Sequence, residues 1–454
     1  MSTPPLAQRV MKSARTFQTT VSSLPSFSRW WSECAEAEKS TVSRIPFSAL
    51  KNWAFEDDSG NLVHRTGRFF SIQGLNATRN SAPTASWRQP IIHQPEVGIL
   101  GIITKEFDGV LHFLMQSKME PGNSNRLQLS PTVQATLSNY SGVHGGRPVA
   151  YLDYFTGESH RVIADSCHSE QGAWFYRKRN RNIIVEVSDD VELQGGFHWL
   201  TLGQIHRLLD VENLLNTDAR SVLSCLPFPF PDAPAAEGAG TLSTWLAEAR
   251  ARHDLSTEDV GLREVGWTVT PDRIKHPSGA FFEIIAADIH SVGREVASWS
   301  QPLLRPVGMG LAAFLVRYDA DGILHVLARA REEAGAADGL EIGPTVQGMP
   351  RNYDFLPAEA RPPYMSYVLS APGKKVLFDN VLSEEGGRFY HAHTRYMLVV
   401  AQDDTYDCPP DHQWVSAQGL SVFTQHGRLL NSEARTLITI LQKIAITLGS
   451  HNDL

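Results

Sequence analysis

The chain has 454 residues, of which 42% are hydrophobic and 20% are charged, which is enough for two or three domains with buried cores. Its longest apolar stretches, such as Val97–Ile103, end at seven residues, far below the roughly 18 that a membrane helix requires. A net charge of −8, from 41 basic and 49 acidic residues, argues against a general affinity for polyanions, so we expect neither a membrane nor a nucleic-acid partner.

The N-terminal 28 residues carry basic, serine and threonine side chains but no acidic one. This composition shares some features with a transit peptide, but the segment lacks the apolar core of a secretion signal. We therefore expect a flexible N-terminal tail over residues 1–28.

The two halves of the chain resemble each other at an offset of about 213 residues. Ser130–Gln134 (SPTVQ) corresponds to Gly343–Gln347 (GPTVQ). Further pairs at this spacing are GRFFSI and GAFFEI, SWRQPII and SWSQPLL, DGVLHF and DGILHV, SEQGAWFY and SEEGGRFY, and LLNTDAR and LLNSEAR. A fixed offset indicates a tandem duplication. Because a copy of about 200 residues is too long for a solenoid repeat, each copy is expected to be a domain with its own core.

These matches define the expected domain boundaries. The first copy is predicted over residues 29–225 and the second over residues 243–454, and a Pro/Ala/Gly-rich linker over residues 226–242 joins them.

Within each copy, a polar helix precedes several strands, and one or two helices close the unit. β-branched and aromatic runs bounded by turn residues predict the strands GILGIIT, VLHFLMQ and NIIVEV, and in the second copy GLAAFLVRY, ILHVLARA and YMLVVAQ. Turns at Glu106–Gly109 and Tyr318–Gly322 predict hairpins. Apolar residues at helical spacing follow in LTLGQIHRLLDVENLLN, VSAQGLSVFTQHGRLLN and EARTLITILQKIAITL. The predicted fold class is α+β, with mixed or antiparallel sheets and flanking helices, built twice and packed as a pseudo-symmetric pair.

Sequence motifs for nucleotide cofactors and metals are missing, since GxGxxG, GxxxxGK[ST], GxSxG and HExxH are all absent. Arg331–Gly335 (REEAG) resembles the end of a Nudix box, whose glutamates bind divalent metals, but the upstream Gly and Glu are absent. No CxxC pair occurs among the cysteines, which we interpret as reduced thiols of a cytoplasmic protein: Cys34, Cys167, Cys225 and Cys408. We predict no metal and no cofactor.

Potentially catalytic side chains concentrate in one polar segment, Lys118–Gly146. Interspersed Gly and Pro favour a binding loop over a core segment. The candidates are Lys118, Glu120, Gln134, Asn139, Tyr140 and His144. Gln134 and its counterpart Gln347 belong to motifs that are either buried turns or contacts to sugar hydroxyls. The second copy has no clear equivalent of His144, which suggests that one copy works and the other is supportive.

A basic segment, Arg177–Arg181, stands out in this acidic protein. Arginine makes bidentate contacts with phosphate oxygens, so the segment is a candidate diphosphate site, although basic clusters are often only solvated surface. Trp87 and Trp299 are either core residues or surfaces for a nucleobase. The full set of candidate substrate-binding residues outside the polar segment is Trp87, Tyr176, Arg177, Arg179, Arg181, Trp299, Gln347, Tyr390 and Arg395.

These doubled motifs resemble those of the NDP-hexose 2,3-dehydratase family, and the resemblance covers nearly the whole chain. It depends on SWRQPII, EFDGVLHFLMQSKMEPGN, QLSPTVQATLSNY and SEQGAWFYRKRNRN in the first copy, and on SWSQPLL, SEEGGRFYHAHTRY and LLNSEAR in the second. The resemblance implies a duplicated Nudix-like fold, a homodimer, and a dTDP-4-keto-6-deoxyhexose substrate whose product passes to a 3-ketoreductase. It also implies a hydro-lyase of deoxysugar biosynthesis that needs no redox cofactor.

The implied reaction eliminates the C2 hydroxyl of dTDP-4-keto-6-deoxyglucose and requires a base, an acid and a partner for the charge at O4. We hypothesise that Glu120 is the base, that Tyr140 or His144 is the acid, and that Lys118 stabilises O4. Two alternatives stay open: a metal-dependent nucleotide-sugar diphosphate hydrolase and a non-catalytic nucleotide-sugar-binding subunit.

Overall fold

The computed structural model describes residues 4–80, 86–136, 148–157, 160–230, 239–291, 296–402, 408–427 and 429–448. The elements of the first copy, in chain order, are α1 (Leu6–Ala14), α2 (Leu24–Ala37), β1 (Thr41–Ile45), β2 (Trp53–Phe55), β3 (Leu62–His64), β4 (Ser71–Thr78), β5 (Ser86–His93), β6 (Gly98–Phe107), β7 (Val110–Met119), β8 (Leu127–Ser130), β9 (Val133–Ala135), α3 (Asp153–Thr156), β10 (Arg161–Ser169), β11 (Phe175–Tyr176), β12 (Arg179–Glu186), β13 (Phe197–Thr201), α4 (Leu202–Leu208) and α5 (Thr217–Ser224).

The second copy repeats this order without counterparts of α1 and β11 among its described elements. Its elements are α6 (Ala239–Arg252), β14 (Ser256–Val260), β15 (Thr268–Val269), β16 (Arg273–Lys275), β17 (Phe282–His290), β18 (Ser298–Pro306), β19 (Gly310–Tyr318), β20 (Leu324–Glu332), β21 (Leu340–Gly343), β22 (Val346–Gly348), α7 (Met365–Ser370), β23 (Val376–Ser383), β24 (His393–Val400), β25 (His412–Ser416), α8 (Ala417–Phe423) and α9 (Ser432–Leu448).

Each copy contains one seven-stranded sheet of the same topology. In the first copy the order is β10-β12-β6-β7-β13, with β8 on β7 and β9 on β6, and the second copy has the equivalent order β23-β24-β19-β20, with β21 and β25 on β20 and β22 on β19. One central pair in each sheet, β12/β6 and β24/β19, is parallel, and the other pairs are antiparallel. The expected α+β class with mixed sheets, built twice, is confirmed.

Each copy lends one strand to a smaller sheet of the other copy. Strand β1 pairs with β17 of the second copy, and β14 pairs with β4 of the first copy. Both pairings are antiparallel and extend over five residues. Separating the copies would leave unpaired strand edges on both sides, so the two copies form one folding unit.

The helices α5 and α9 pack together between the two large sheets, and each carries a fully buried arginine. Arg220 donates to the backbone oxygen of Ser383 at 2.7 Å, and Arg435 donates to that of Ser169 at 2.7 Å. Each guanidinium therefore joins the two copies, and the duplicated motifs LLNTDAR and LLNSEAR are explained by this reciprocal contact. No helix within the described part of the chain is both long and apolar enough to cross a membrane.

The described part of the expected N-terminal tail, residues 4–28, is not a free tail. Val10 and Ala14 of α1 are buried in the core of the first copy. Arg9 forms an ion pair with Glu106 at 2.7 Å and another with Glu186. Apolar residues on one helical face and a buried, paired arginine are what hold this segment against the sheet.

The expected linker over residues 226–242 is also partly structured. Phe228 and Phe230 are buried in the core, and α6 already begins at Ala239, whereas residues 231–238 lie outside the described part. Aromatic side chains between the prolines therefore anchor the start of this segment to the protein.

Two glycine-containing turns bring the copies into direct backbone contact. The amide of Gly122 donates to Gly386 at 2.7 Å, and in the counterpart contact the amide of Gly335 donates to Gly172 at 2.7 Å. A Cβ atom at position 335 would lie 1.9 Å from the backbone oxygen of Phe175. Glycine is needed here because the neighbouring atoms belong to backbone and cannot rotate away.

We expect Gly335→Ala to shift the midpoint of urea unfolding downwards, by an amount that corresponds to about 1–3 kcal/mol of overpacking. Gly195→Ala is the control, since no atom lies within 4 Å of a Cβ atom placed there. Equal midpoints for the two variants would show that the turn adapts to the added methyl group.

Candidate active site

A cavity of about 520 Å³ lies between the two copies and is the candidate active site. The first copy contributes the ends of β7 and β9 and the starts of β12 and α5, and the second copy contributes the start of β18 and the loop after β23. The backbone contact between Gly122 and Gly386 holds this loop beside the end of β7. The cavity is therefore shared by both halves of the chain.

Three residues of the polar segment meet at one wall of this cavity. Lys118 Nζ donates to the backbone oxygen of Gln134 at 2.8 Å, and Gln134 Nε2 donates to Glu120 Oε1 at 2.7 Å. Strands β7 and β9 both pair with β6, and this arrangement brings Gln134 into contact with Lys118 and Glu120, which lie 16 and 14 positions before it in the sequence. The wall thus presents a carboxylate and an ammonium group side by side.

Three further carboxyl groups face the cavity. Burial raises the pKa of Asp218 well above its usual value, and the negative charges of Glu170, Glu120 and Glu385 act in the same direction. Burial, followed by the charge of Glu120, raises the pKa of Glu385 to about 8. Burial also raises the pKa of Glu170, against the opposing charges of nearby cations. Protonated carboxyl groups and an adjacent carboxylate are the pair that acid–base chemistry requires.

Four more cationic side chains line the cavity besides Lys118, namely Lys51, Arg65, Lys178 and Arg388. Lys178 Nζ donates to the backbone oxygen of Glu96, and burial lowers the pKa of this lysine. Arg388, from the second copy, donates to Gln94 Oε1 at 3.1 Å and lies over the ring of Phe70. These cations could receive an anionic group of a ligand.

An aromatic side chain from the second copy forms part of the cavity wall. Trp299 lies at the start of β18, and its indole N–H donates to Gln301 Oε1 at 2.9 Å. The strand is held against the first copy because Trp53 Nε1 donates to the backbone oxygen of Ser300 at 2.9 Å.

Of the residues predicted from sequence, the structure brings Lys118, Glu120, Gln134 and Trp299 to this cavity. The predictions for Asn139, Tyr140 and His144 fall outside the described residues. The roles of all these residues stay predictions.

The three arginines of the predicted basic segment do not line the cavity, whereas Lys178 and Asn180 of the same segment do. Arg181 pairs with Asp165 at 2.6 Å, and its counterpart Arg395 pairs with Asp379 at 2.6 Å. Arg177 is exposed and stacks on the ring of Tyr176, and Arg179 is half-buried on the same strand face as Arg181. The arginines thus lie on the strand face opposite the neighbouring cavity residues.

The remaining predicted residues lie in apolar clusters at the contact between the two copies or at positions of the second copy that are equivalent to the site. Trp87 and Tyr176 pack in one apolar cluster with Ala334 of the second copy, and Tyr390 packs in the equivalent cluster near Trp299. Each tryptophan therefore faces a turn of the opposite copy. Gln347 lies at the counterpart of Gln134 and donates to Glu333 at 3.1 Å.

The second copy keeps charged residues at four equivalent positions, Arg331, Glu333, Glu384 and Glu433, but has lost other polar and charged groups of the site. Lys178 is replaced by Ala392, Asn180 by Thr394 and, in the opposite loop, Arg388 by Trp174. Glu333 forms an ion pair with Arg331 at 2.9 Å. A smaller cavity of about 390 Å³ near Arg331 has neither Glu333 nor Gln347 in its lining.

Sequence reasoning missed several residues of the cavity, including five charged ones discussed above: Glu170, Lys178, Asp218, Glu385 and Arg388. All five belong to the duplicated motifs SEQGAWFYRKRNR, LLNTDAR and SEEGGRFY. The sequence does distinguish Lys178 and Arg388, because the other copy has Ala392 and Trp174 at the equivalent positions, and this difference could have marked them as site residues. Within the described ranges, no three His, Cys, Asp or Glu side chains are placed to share a metal ion.

The raised pKa values predict how stability depends on pH. Because the folded-state pKa of Glu385, about 8, exceeds the usual 4.5, the folded protein retains a proton that the unfolded chain loses. Stability is therefore expected to fall as pH rises from about 4.5 to about 8. Glu385→Gln should flatten this decline in thermal unfolding midpoints, whereas the exposed-residue control Glu248→Gln should keep the wild-type slope.

Comparison with known proteins places the chain in a family. Residues 24–226 and residues 239–441 each match the model of the NDP-hexose 2,3-dehydratase family. A dTDP-4-dehydro-6-deoxy-α-D-glucopyranose 2,3-dehydratase from Amycolatopsis orientalis is 46% identical over 446 residues, 97% of this chain and 94% of the relative. Proteins of the same name from Streptomyces violaceoruber and Saccharopolyspora spinosa are each 44% identical over 92% of this chain, and the matches cover 97% and 91% of those relatives. The chain belongs to the NDP-hexose 2,3-dehydratase family.

Proposed function

We propose that the protein is a hydro-lyase that eliminates the C2 hydroxyl of dTDP-4-keto-6-deoxyglucose, the 4-dehydro sugar in the names of its relatives, and yields a 3,4-diketo-2,6-dideoxy sugar. The convergence of Glu120, Asp218 and Lys118 on one cavity carries this proposal. Together they supply a base, an acid and a cation within one cavity shared by the two copies.

The C4 ketone acidifies the hydrogen at C3, so a base can remove this proton and leave an enolate. The electron pair then forms the C2–C3 double bond while the C2–O bond breaks, and an acid gives its proton to the departing hydroxyl, which leaves as water. The resulting enol takes up a proton at C2 and becomes the C3 ketone. No electrons enter or leave the substrate overall.

We assign the base to Glu120 and the cation at O4 to Lys118. Within the described residues Asp218 is our candidate for the acid, because burial and three neighbouring acidic residues raise its pKa and so favour its protonated form. Tyr140 and His144 stay alternative candidates for this role. Hydrogen bonds to the developing O4 charge are typically worth a few kcal/mol.

For the diphosphate we now favour Lys178 and Arg388 over the arginines of Arg177–Arg181. Both cations line the cavity, whereas Arg181 is already paired with Asp165. Arg388→Met should raise the Kd of dTDP by more than about tenfold, the effect of losing a charge-assisted contact, while Arg181→Met should leave it within about twofold. Calorimetry would measure both. If Arg181→Met raised the Kd of dTDP more than Arg388→Met does, the diphosphate site would instead lie at the arginines of the basic segment.

We infer that the first copy holds the working site, because its counterpart has lost Lys178 and Arg388. We also propose a Nudix-like origin for the duplicated domain. The residual REEAG motif of Arg331–Gly335 supports it, although this segment ends β20 and enters a turn. We further propose that the protein forms a homodimer and that a 3-ketoreductase consumes the unstable diketone.

The decisive experiment incubates the protein with dTDP-4-keto-6-deoxyglucose, a 3-ketoreductase and its reduced nicotinamide. A 2-deoxy sugar nucleotide in the product mixture is expected by mass spectrometry. Release of thymidine monophosphate would identify a diphosphate hydrolase instead, and binding without product would identify a binding subunit.

A further inference from the structure

Three side chains between helix α5 and the cavity form a continuous hydrogen-bonded chain, which we call the amide relay: Asn216, Gln134 and Glu120. Asn216 Nδ2 donates to Gln134 Oε1 at 3.2 Å, and Gln134 Nε2 donates to Glu120 Oε1 at 2.7 Å. We propose that Asn216 and Gln134 are positioning residues that hold Glu120 as a hydrogen-bond acceptor oriented for proton abstraction. This inference depends on the proposed role of Glu120 as the base.

The direction of the relay is set by the backbone of α5. The amide of Ala219 can only donate, and it donates to Asn216 Oδ1 at 2.8 Å. The other end of the Asn216 amide must therefore be its N–H group, which requires the oxygen of Gln134 as its partner. Gln134 is then left with its N–H group towards Glu120, so each amide has a single possible orientation.

A fixed N–H donor favours the ionised form of the carboxyl group that accepts from it. It also holds one oxygen, Oε1, in place, and no other hydrogen bond joins the Glu120 side chain to a described residue. Asn216 is only 2% exposed, so water does not compete for its amide. Through these hydrogen bonds, the N-terminus of α5 fixes the orientation of the Glu120 carboxyl group at the cavity wall.

The second copy contains the same relay in a different setting. Ala434 donates to Asn431 at 3.0 Å, Asn431 donates to Gln347 at 2.7 Å, and Gln347 donates to Glu333 at 3.1 Å. There the carboxylate is neutralised by Arg331 and does not line the shared cavity. The second relay therefore provides a matched control for any structural role of the first.

Other charged groups near Glu120 must stay unchanged in a test of the relay. Asp218 and Glu385 interact with it electrostatically, and Lys118, Glu170 and Arg388 line the same cavity. A substitution at Asn216 leaves all five in place, but an aspartate adds a charge of its own, so the neutral variant Asn216→Ser is measured beside it.

The test is Asn216→Asp, compared with Asn431→Asp. An aspartate retains an oxygen for the helix cap but has no N–H group for Gln134, so the Gln134 amide must turn its oxygen towards Glu120. We expect kcat to fall by about 10- to 100-fold, the effect of one lost hydrogen bond to a charged group, with KM within about threefold. The acidic limb of the kcat profile should move to higher pH. Asn431→Asp should keep kcat within about twofold.

A second readout does not need turnover. In protein labelled with ¹³C at glutamate Cδ, the signal of Glu120 is identified by its loss in Glu120→Gln, and its titration midpoint is followed by NMR. Asn216→Ser adds no charge, and its hydroxyl keeps an oxygen for the helix cap but does not reach Gln134, so this variant should raise the midpoint whereas Asn431→Ser should not. An unchanged midpoint would overturn the inference, as would equal losses of kcat in both variants. Absence of turnover in the wild-type protein would instead reject the proposed function and leave the NMR result to decide the relay.

Discussion

Glu120→Gln is expected to lower kcat by about 10²- to 10⁴-fold, the range that a positioned base contributes. An amide of the same shape keeps an oxygen for Gln134 Nε2, whose hydrogen bond to Glu120 Oε1 is 2.7 Å long, so the wall of the cavity should stay intact. The Kd of dTDP should therefore change by less than about threefold, because the nucleotide does not depend on proton abstraction.

The step that is lost can be observed directly. Wild-type protein in deuterated water should exchange the C3 hydrogen of the ketosugar, and the signal at C3 should persist in the presence of Glu120→Gln. Glu333→Gln alters the equivalent residue of the second copy, which pairs with Arg331, and should keep the exchange even if stability decreases. Exchange at the wild-type rate in Glu120→Gln would assign the base to another residue.

The duplicated fold was predictable because the relevant signals are local. Apolar periodicity and turn residues identified three strands in each of the two large sheets, and the fixed offset between copies identified the duplication. The exchange of β1 and β14 was not predictable, since a strand pattern indicates which face is buried but not which copy supplies the partner.

The candidate site could be predicted only in part, because sequence patterns do not show which distant segments come together in the fold. Lys118, Glu120 and Gln134 lie in one segment and could be grouped from sequence, whereas Asp218 and Arg388 come from distant segments. The basic segment was interpreted by charge alone. In a strand, successive side chains point to opposite faces, and here Lys178 and Asn180 reach the cavity while Arg179 and Arg181 face away. The alternation of side chains along the strand therefore decides which residues of the basic segment reach the cavity, and the number of charges does not show this.

Asp218→Asn is expected to lower kcat by about 10²-fold or more if this residue protonates the departing hydroxyl. Burial and the charges of Glu170, Glu120 and Glu385 raise the pKa of the aspartate well above its usual value, which favours the protonated form that an acid needs. An asparagine has the same shape, holds no transferable proton and removes a group that is costly to bury. Thermal stability should consequently be retained or increased, which separates loss of the acid from loss of the fold.

A substrate analogue with fluorine at C2 isolates this role, because fluoride departs without needing a proton from the enzyme. Asp218→Asn should release fluoride at a rate close to that of the wild type, whereas Glu120→Gln should stay inactive on the same analogue, since abstraction of the C3 proton is still required. Glu433→Gln, at the position equivalent to Asp218 in the second copy, should affect neither substrate. If Asp218→Asn were equally impaired with hydroxyl and fluorine leaving groups, Asp218 would act before the C2 bond breaks, and the acid would have to be sought at Tyr140 or His144.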